Sequence, residues 1–118
     1  MGRAFEDISL ELVNEMQLRQ QLPFNYTKIG KWWYRDTEID IIAIEEQKRE
    51  ATFIEVKWGT INKREAHRIL DNLSSKTTEY RWGREKEKLG IIAKDLPEKH
   101  GLREEGYIAL DLEDFDQL

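Results

Sequence analysis

The chain has no cysteine, only two prolines and two histidines in 118 residues, and no apolar run approaching the roughly 18 residues that a membrane span needs. Each shortage excludes something. Without cysteine there is no disulfide, no thiolate nucleophile and no cysteine-type zinc site. With His67 and His100 as the only imidazoles, a bound metal has to rely on oxygen ligands, which makes a hard cation the default. No basic-then-apolar leader opens the sequence, so the expected compartment is the cytoplasm. Repeats, low-complexity tracts and linkers are also missing, and a single domain over residues 1–118 is the expectation.

What is present is ample material for a core, with 39% hydrophobic residues, and a dense charged surface at 36%. The net charge of −5 is unevenly spread: residues 59–90 carry eight basic against five acidic residues, and 91–118 three against eight. Affinity for phosphates depends on local lysine and arginine more than on the total. The distribution therefore permits a basic face, although a solvated helix surface is its ordinary meaning.

Phe5, Ile8, Leu12 and Met16 recur at helical spacing and predict a helix over 3–20, ending before Leu22-Pro23. Residues 24–35, 38–45 and 51–58 read as three successive strands joined by polar turns, an antiparallel meander. Asn62 and Glu65 resemble a capping box, after which Ala66, Ile69, Leu70, Leu73, Thr77 and Tyr80 lie on one stripe of a second helix. Residues 88–93 and 106–112 are apolar runs of strand length separated by "KDLPEKHG". The predicted order is α-β-β-β-α-β-β, an α/β domain of two or three layers.

Charged residues inside these apolar elements are the informative ones. In strand geometry Thr52, Ile54, Val56 and Trp58 share one face, while Phe53, Glu55 and Lys57 share the other. Asp40 lies with Ile42 and Ile44, opposite Ile39, Ile41 and Ala43. Glu6 lies nearly above Val13 at the border of the apolar stripe of the first helix. Singly these are ordinary: a helix N-terminal acid, an edge-strand acid, and a same-face Glu55–Lys57 ion pair. Together they place an acid on each of two adjacent strands with a lysine two residues beyond the second. Such carboxylates can converge on Mg²⁺ or Mn²⁺, and the lysine can orient water and steady charge on a phosphate. Glu46-x-Lys48 has the same spacing, but it lies in a polar turn.

Trp32, Trp33 and Tyr34, beside Lys28, Lys31 and Arg35, have the composition of a nucleic-acid contact in which rings stack on bases and cations follow phosphates. Alternation sets Trp33 opposite Trp32 and Tyr34, so at least one ring belongs to the core. Lys63, Arg64 and Arg68 are expected phosphate contacts because their helix follows strand 51–58 directly. His67 is expected to be a surface residue of that helix.

With these residues in place the chain resembles the PD-(D/E)XK, or restriction-endonuclease-like, nuclease superfamily: a helix glutamate, an aspartate on the second strand, Glu-x-Lys on the third, then a helix and a strand. "GRAFEDI", "KIGKWWYRDTEIDIIAI" and "FIEVKWG" are similar to the uncharacterised domain at the C-terminus of many archaeal P-loop ATPases. Ile39 stands where the superfamily's namesake proline would be. The resemblance implies a mixed central sheet flanked by helices and metal-dependent hydrolysis of DNA phosphodiesters. By it Asp40 and Glu55 are metal ligands assisted by the Val56 carbonyl, Lys57 is the catalytic lysine, and Glu6 helps to fix metal or water. It also implies an ATPase domain in cis or trans, which lies outside these residues because no GxxxxGK[ST] motif occurs. The alternative it leaves open is a non-cleaving module of the same fold that contacts DNA or protein, or forms a homodimer.

Overall fold

The computed structural model describes residues 2–116, with side chains from Ala4 onward. The chain runs α1 (Gly2–Leu18), β1 (Lys28–Tyr34), β2 (Thr37–Glu45), β3 (Glu50–Thr60), α2 (Lys63–Lys76), β4 (Lys86–Asp95), α3 (Lys99–Glu104), β5 (Ile108–Leu110) and α4 (Leu112–Phe115). The strands form one sheet in the order β1-β2-β3-β4-β5. β1, β2 and β3 pair antiparallel, the expected meander, whereas β3–β4 and β4–β5 are parallel. Parallel neighbours need a crossover connection, which the segments containing α2 and α3 provide.

β3 and β4 lie inside the sheet and are apolar on both faces. Ile54, Val56 and Ile92 pack with Phe5, Val13 and Met16 of α1. Phe53, Ile91 and Ala93 point the other way, to Ala66, Ile69, Leu70 and Leu73 of α2. The sheet is therefore covered on both sides and the architecture has three layers. Gly90 is demanded by closeness to β5, because a Cβ there would lie 2.6 Å from the Cβ of Ile108.

Several elements depart from the sequence expectation for identifiable reasons. The buried side of α1 is Phe5, Ser9, Val13 and Met16, while Ile8 is 49% exposed. That rotation matters, because Glu6 lies two turns before buried Val13 and so is directed toward the sheet. Residues 24–27 are not strand. Phe24 is buried, and the amide side chain of Gln17 accepts from the Tyr26 N–H at 3.1 Å and donates to its carbonyl at 3.3 Å, taking the place of a strand partner. The connection "KDLPEKHG" leads into a helix, α3, anchored by fully buried Leu102. The last strand stops at Leu110 because Asp111 turns the chain, its carboxylate accepting the Glu113 N–H at 3.1 Å to cap α4. α2 ends at Lys76 in a 3₁₀ turn, Thr77–Glu79. The Arg84 guanidinium donates to the carbonyls of Thr77, Tyr80 and Trp82, tying the segment that follows the 3₁₀ turn back onto it.

Candidate active site

The site begins with an irregularity in β2. Gly30 pairs with Ile42 but Trp32 pairs with Ile39, so Asp40 and Ile41 together face the single residue Lys31, which is a β-bulge. Ile39 and Ile42 consequently pack in the same core cluster, correcting the strict alternation expected from sequence. The β2–β3 ladder runs as far as Ile41 opposite Ile54. Beyond it, Asp40 Oδ2 accepts the Val56 N–H at 2.8 Å, a side chain standing in for the strand carbonyl that the bulge has withdrawn. Asp40 also lies close enough to Glu55 for the two carboxyl groups to interact.

Here a cleft of about 360 Å³ opens between α1, the sheet and the end of α2. Its carboxylates are Glu6 from α1, Glu38 and Asp40 from β2, and Glu55 from β3, and its cations are Lys31, Lys57 and Lys76. Oxygens of Glu6, Glu38 and Asp40 lie within 4.8 Å of one another. The acids perturb each other. Glu6 is pushed up to about 7, first by its hydrogen bond with Asp40, then by burial and the Asp40 charge, with Lys31 opposing. Asp40 is raised chiefly by burial and also by the Glu55 charge, against which the hydrogen bonds from Glu6 and the Val56 N–H act. Both shifts favour a proton held between Glu6 and Asp40.

The lysines are placed unequally. Lys31 Nζ lies 2.6 Å from Glu38 and 3.6 Å from Glu6. Lys76 Nζ lies 3.1 Å from Glu55, whose side chain is buried. Lys57 is exposed on the rim and makes no ion pair among the described residues. The same-face Glu55–Lys57 pair is therefore absent, and the partner of Glu55 comes from α2. Sequence reasoning passed over Lys76 and Glu38, yet each carried a signal: Lys76 follows Leu73 by three positions on the buried stripe, and Glu38 precedes Asp40 by two.

An all-oxygen donor set of clustered carboxylates, one of them pushed up to about 7 by its neighbours, has the chemistry that Mg²⁺ or Mn²⁺ selects. Asp40, Glu55 and Val56 all line the cleft, together with Glu6 and Lys57. The seven residues expected to contact nucleic acid do not form one surface. Lys31 is in the cleft, and Arg35 lies at the β1–β2 turn over the Tyr34 ring. Lys28 pairs with Glu46 near the other end of β1. Trp32 packs against the core and against Tyr80, which leaves Trp33, 68% exposed, and Tyr34, 47% exposed, as the open rings of that stretch. Lys63 is held by Glu105 and Arg68 by Glu65. Lys63 and Arg64 occupy the start of α2, about 20 Å along the helix from its cleft end at Lys76, and Arg68 lies about 12 Å from that end. His67 is engaged as well, at 2.5 Å from Glu105.

Comparison with known proteins identifies a family and a fold. Residues 1–69 match the DUF234 family, described as archaeal and bacterial proteins of unknown function, and the chain belongs to that family. An uncharacterised protein of Methanocaldococcus jannaschii is 34% identical over 116 residues, which are 98% of this chain and 26% of that protein, so the chain spans about a quarter of the relative's length. Among solved structures, a repair endonuclease from Pyrococcus abyssi aligns with 87% of this chain and 45% of its own, with a TM-score of 0.52 and 16% identity. At that identity the likeness is one of fold, and the fold is nuclease-like, fitting the restriction-endonuclease-like arrangement.

Proposed function

We propose that this DUF234 member is a metal-dependent deoxyribonuclease domain that hydrolyses DNA phosphodiester bonds. One observation carries the reading: four carboxylates from three separate elements converge on one cleft, with an uncommitted lysine, Lys57, at its rim. Interior acids are costly unless paired or used, and a fold like that of a repair endonuclease gives them a use. Asp40 and Glu55, with the Val56 carbonyl, would hold Mg²⁺ or Mn²⁺, and Glu6 would steady the ion or a water. When bound, such an ion supplies Lewis-acid polarisation and lowers the pKa of water. Lys57 orients the attacking water and offsets the charge that develops on the phosphate as one P–O bond forms and another breaks. Of the basic residues expected to contact nucleic acid, Lys31 lines the cleft and Arg35 lines a neighbouring depression with it, and these two would guide the adjoining DNA. In a longer protein the domain would serve as the effector of an ATPase.

A second reading, a non-cleaving module on the same fold, is favoured by the internal neutralisation of Glu55 by Lys76 and of Glu38 by Lys31. Incubation with single-stranded, duplex and branched DNA in Mn²⁺ separates the two. The nuclease reading expects cleavage that Lys57→Ala abolishes while Mn²⁺ affinity is kept. A whole panel left intact at high protein concentration establishes the non-cleaving one.

A further inference from the structure

Glu55 is 5% exposed, and a carboxylate so deep in a sheet requires a counter-charge. Lys76 supplies it at 3.1 Å from the last turn of α2, with a side chain that is itself only 27% exposed. Lys57, on the same strand and the same face as Glu55, is turned to solvent instead. The backbone that carries Lys76 is fixed, since it runs at once into the 3₁₀ turn whose Thr77 carbonyl accepts from Arg84 at 2.9 Å. The ammonium at the end of its flexible four-carbon stem has freedom that the backbone lacks. Of the three lysines lining the cleft, Lys31 and Lys76 are thus committed to acids, and Lys57 makes no ion pair among the described residues.

We propose that Lys76 and a divalent cation are alternative partners of Glu55, and that Lys76, on releasing Glu55, binds the substrate phosphate from within the same cleft. Cation loading would thereby raise nucleic-acid affinity. The inference rests on the nuclease reading. Its physical basis is competition: a divalent charge attracts Glu55 more strongly than an ammonium does, and an ammonium left beside it is repelled. A phosphate oxygen is the next acceptor that a displaced lysine can meet in such a cleft.

Three measurements test this. Mn²⁺ affinity is read by electron paramagnetic resonance of the free ion in wild type, Lys76→Gln and Lys76→Arg. Affinity for a labelled oligonucleotide is read by fluorescence anisotropy in Ca²⁺ and in chelator. In wild type, Ca²⁺ should tighten the oligonucleotide by about tenfold, a normal size for coupling between two ligands. Lys76→Gln should bind Mn²⁺ about tenfold more tightly and lose most of the Ca²⁺-dependent gain, whereas Lys76→Arg, which keeps the charge, should bind Mn²⁺ no more tightly than wild type. Unchanged or weaker Mn²⁺ binding by Lys76→Gln, with wild type binding normally, overturns this inference and leaves the nuclease reading standing. Equal tightening by both variants overturns it too. A wild type that binds no Mn²⁺ removes the nuclease reading and this inference together. The third measurement needs no variant: the Lys76 side-chain resonances of wild type should move when Mg²⁺ is added, and fixed resonances contradict the exchange.

Discussion

Asp40 Oδ2 takes the Val56 N–H at 2.8 Å, so the β2–β3 ladder is closed by a carboxylate and the acid of one strand is tied to the residue next to Glu55 on the other. The bulge at Asp40 and Ile41 makes this geometry, and the rotation of α1 that buries Val13 brings Glu6 to the same point. A group of acids on three elements has consequences for pH, stability and cation binding that can be measured one at a time.

The raised Glu6 and Asp40 fix the sign of the pH dependence. A carboxyl whose folded pKa lies above its unfolded value favours the fold in its protonated form, and that stabilisation fades as pH climbs from the unfolded value through the folded one. For Glu6 this window runs from 4.5 to about 7, and Asp40 acts in the same direction. In chelator the melting temperature should therefore fall as pH rises through the window, and Glu6→Gln should flatten that slope. Since a cation must displace the shared proton, Mn²⁺ affinity should rise with pH by up to about tenfold per unit below 7 and level off above it. An affinity independent of pH would place the proton elsewhere.

Lys99 tests the part of the molecule remote from the cleft. Its ammonium is buried and donates to Asp111 at 2.9 Å and Glu113 at 3.2 Å, while Asp111 also accepts the Leu96 N–H at 3.0 Å. Lys99→Met leaves a buried carboxylate without its cation and should lower stability by about 3 kcal/mol in chemical denaturation. Mn²⁺ affinity should not change, and a loss of both would mean that this network supports the cleft.

Ser9 should show the opposite. Its hydroxyl is fully buried on the inner side of α1 and has no hydrogen-bond partner among the described residues, so its desolvation is uncompensated. Ser9→Ala should raise stability by about 1 kcal/mol. A decrease of similar size would reveal a partner for that hydroxyl.

Much of this site was legible in the amino-acid order because ions in apolar strands are conspicuous: Asp40 among isoleucines, and Glu55 and Lys57 after Ala51–Ile54. The helix glutamate was legible through its relation to Val13. Other features were hidden for physical reasons. A two-for-one bulge cannot be seen in a pattern that assumes strict alternation, so Ile39 was assigned to the wrong face. Lys76 was masked because a lysine in the last turn of a helix already has an ordinary explanation in the helix dipole. α3 is only six residues long, too short to display a stripe. The spread of Lys28, Lys63, Arg64 and Arg68 over distant surfaces depends on three-dimensional direction, which residue spacing does not contain.

The central claim is that Asp40, Glu55 and their neighbours are gathered to hold a divalent cation, and paired thermal melts of wild type and Asp40→Asn in chelator and in Mn²⁺ test it most directly. Asparagine keeps an oxygen for the Val56 N–H and relieves the repulsion among the acids, so in chelator the variant should melt no lower than wild type. At one hundred times the dissociation constant, Mn²⁺ should stabilise wild type by about 2.7 kcal/mol, or about 10 °C in a domain of this size, and the variant should lose most of that gain. A wild type indifferent to Mn²⁺, with a variant markedly less stable in chelator, would mean that these charges serve the fold alone.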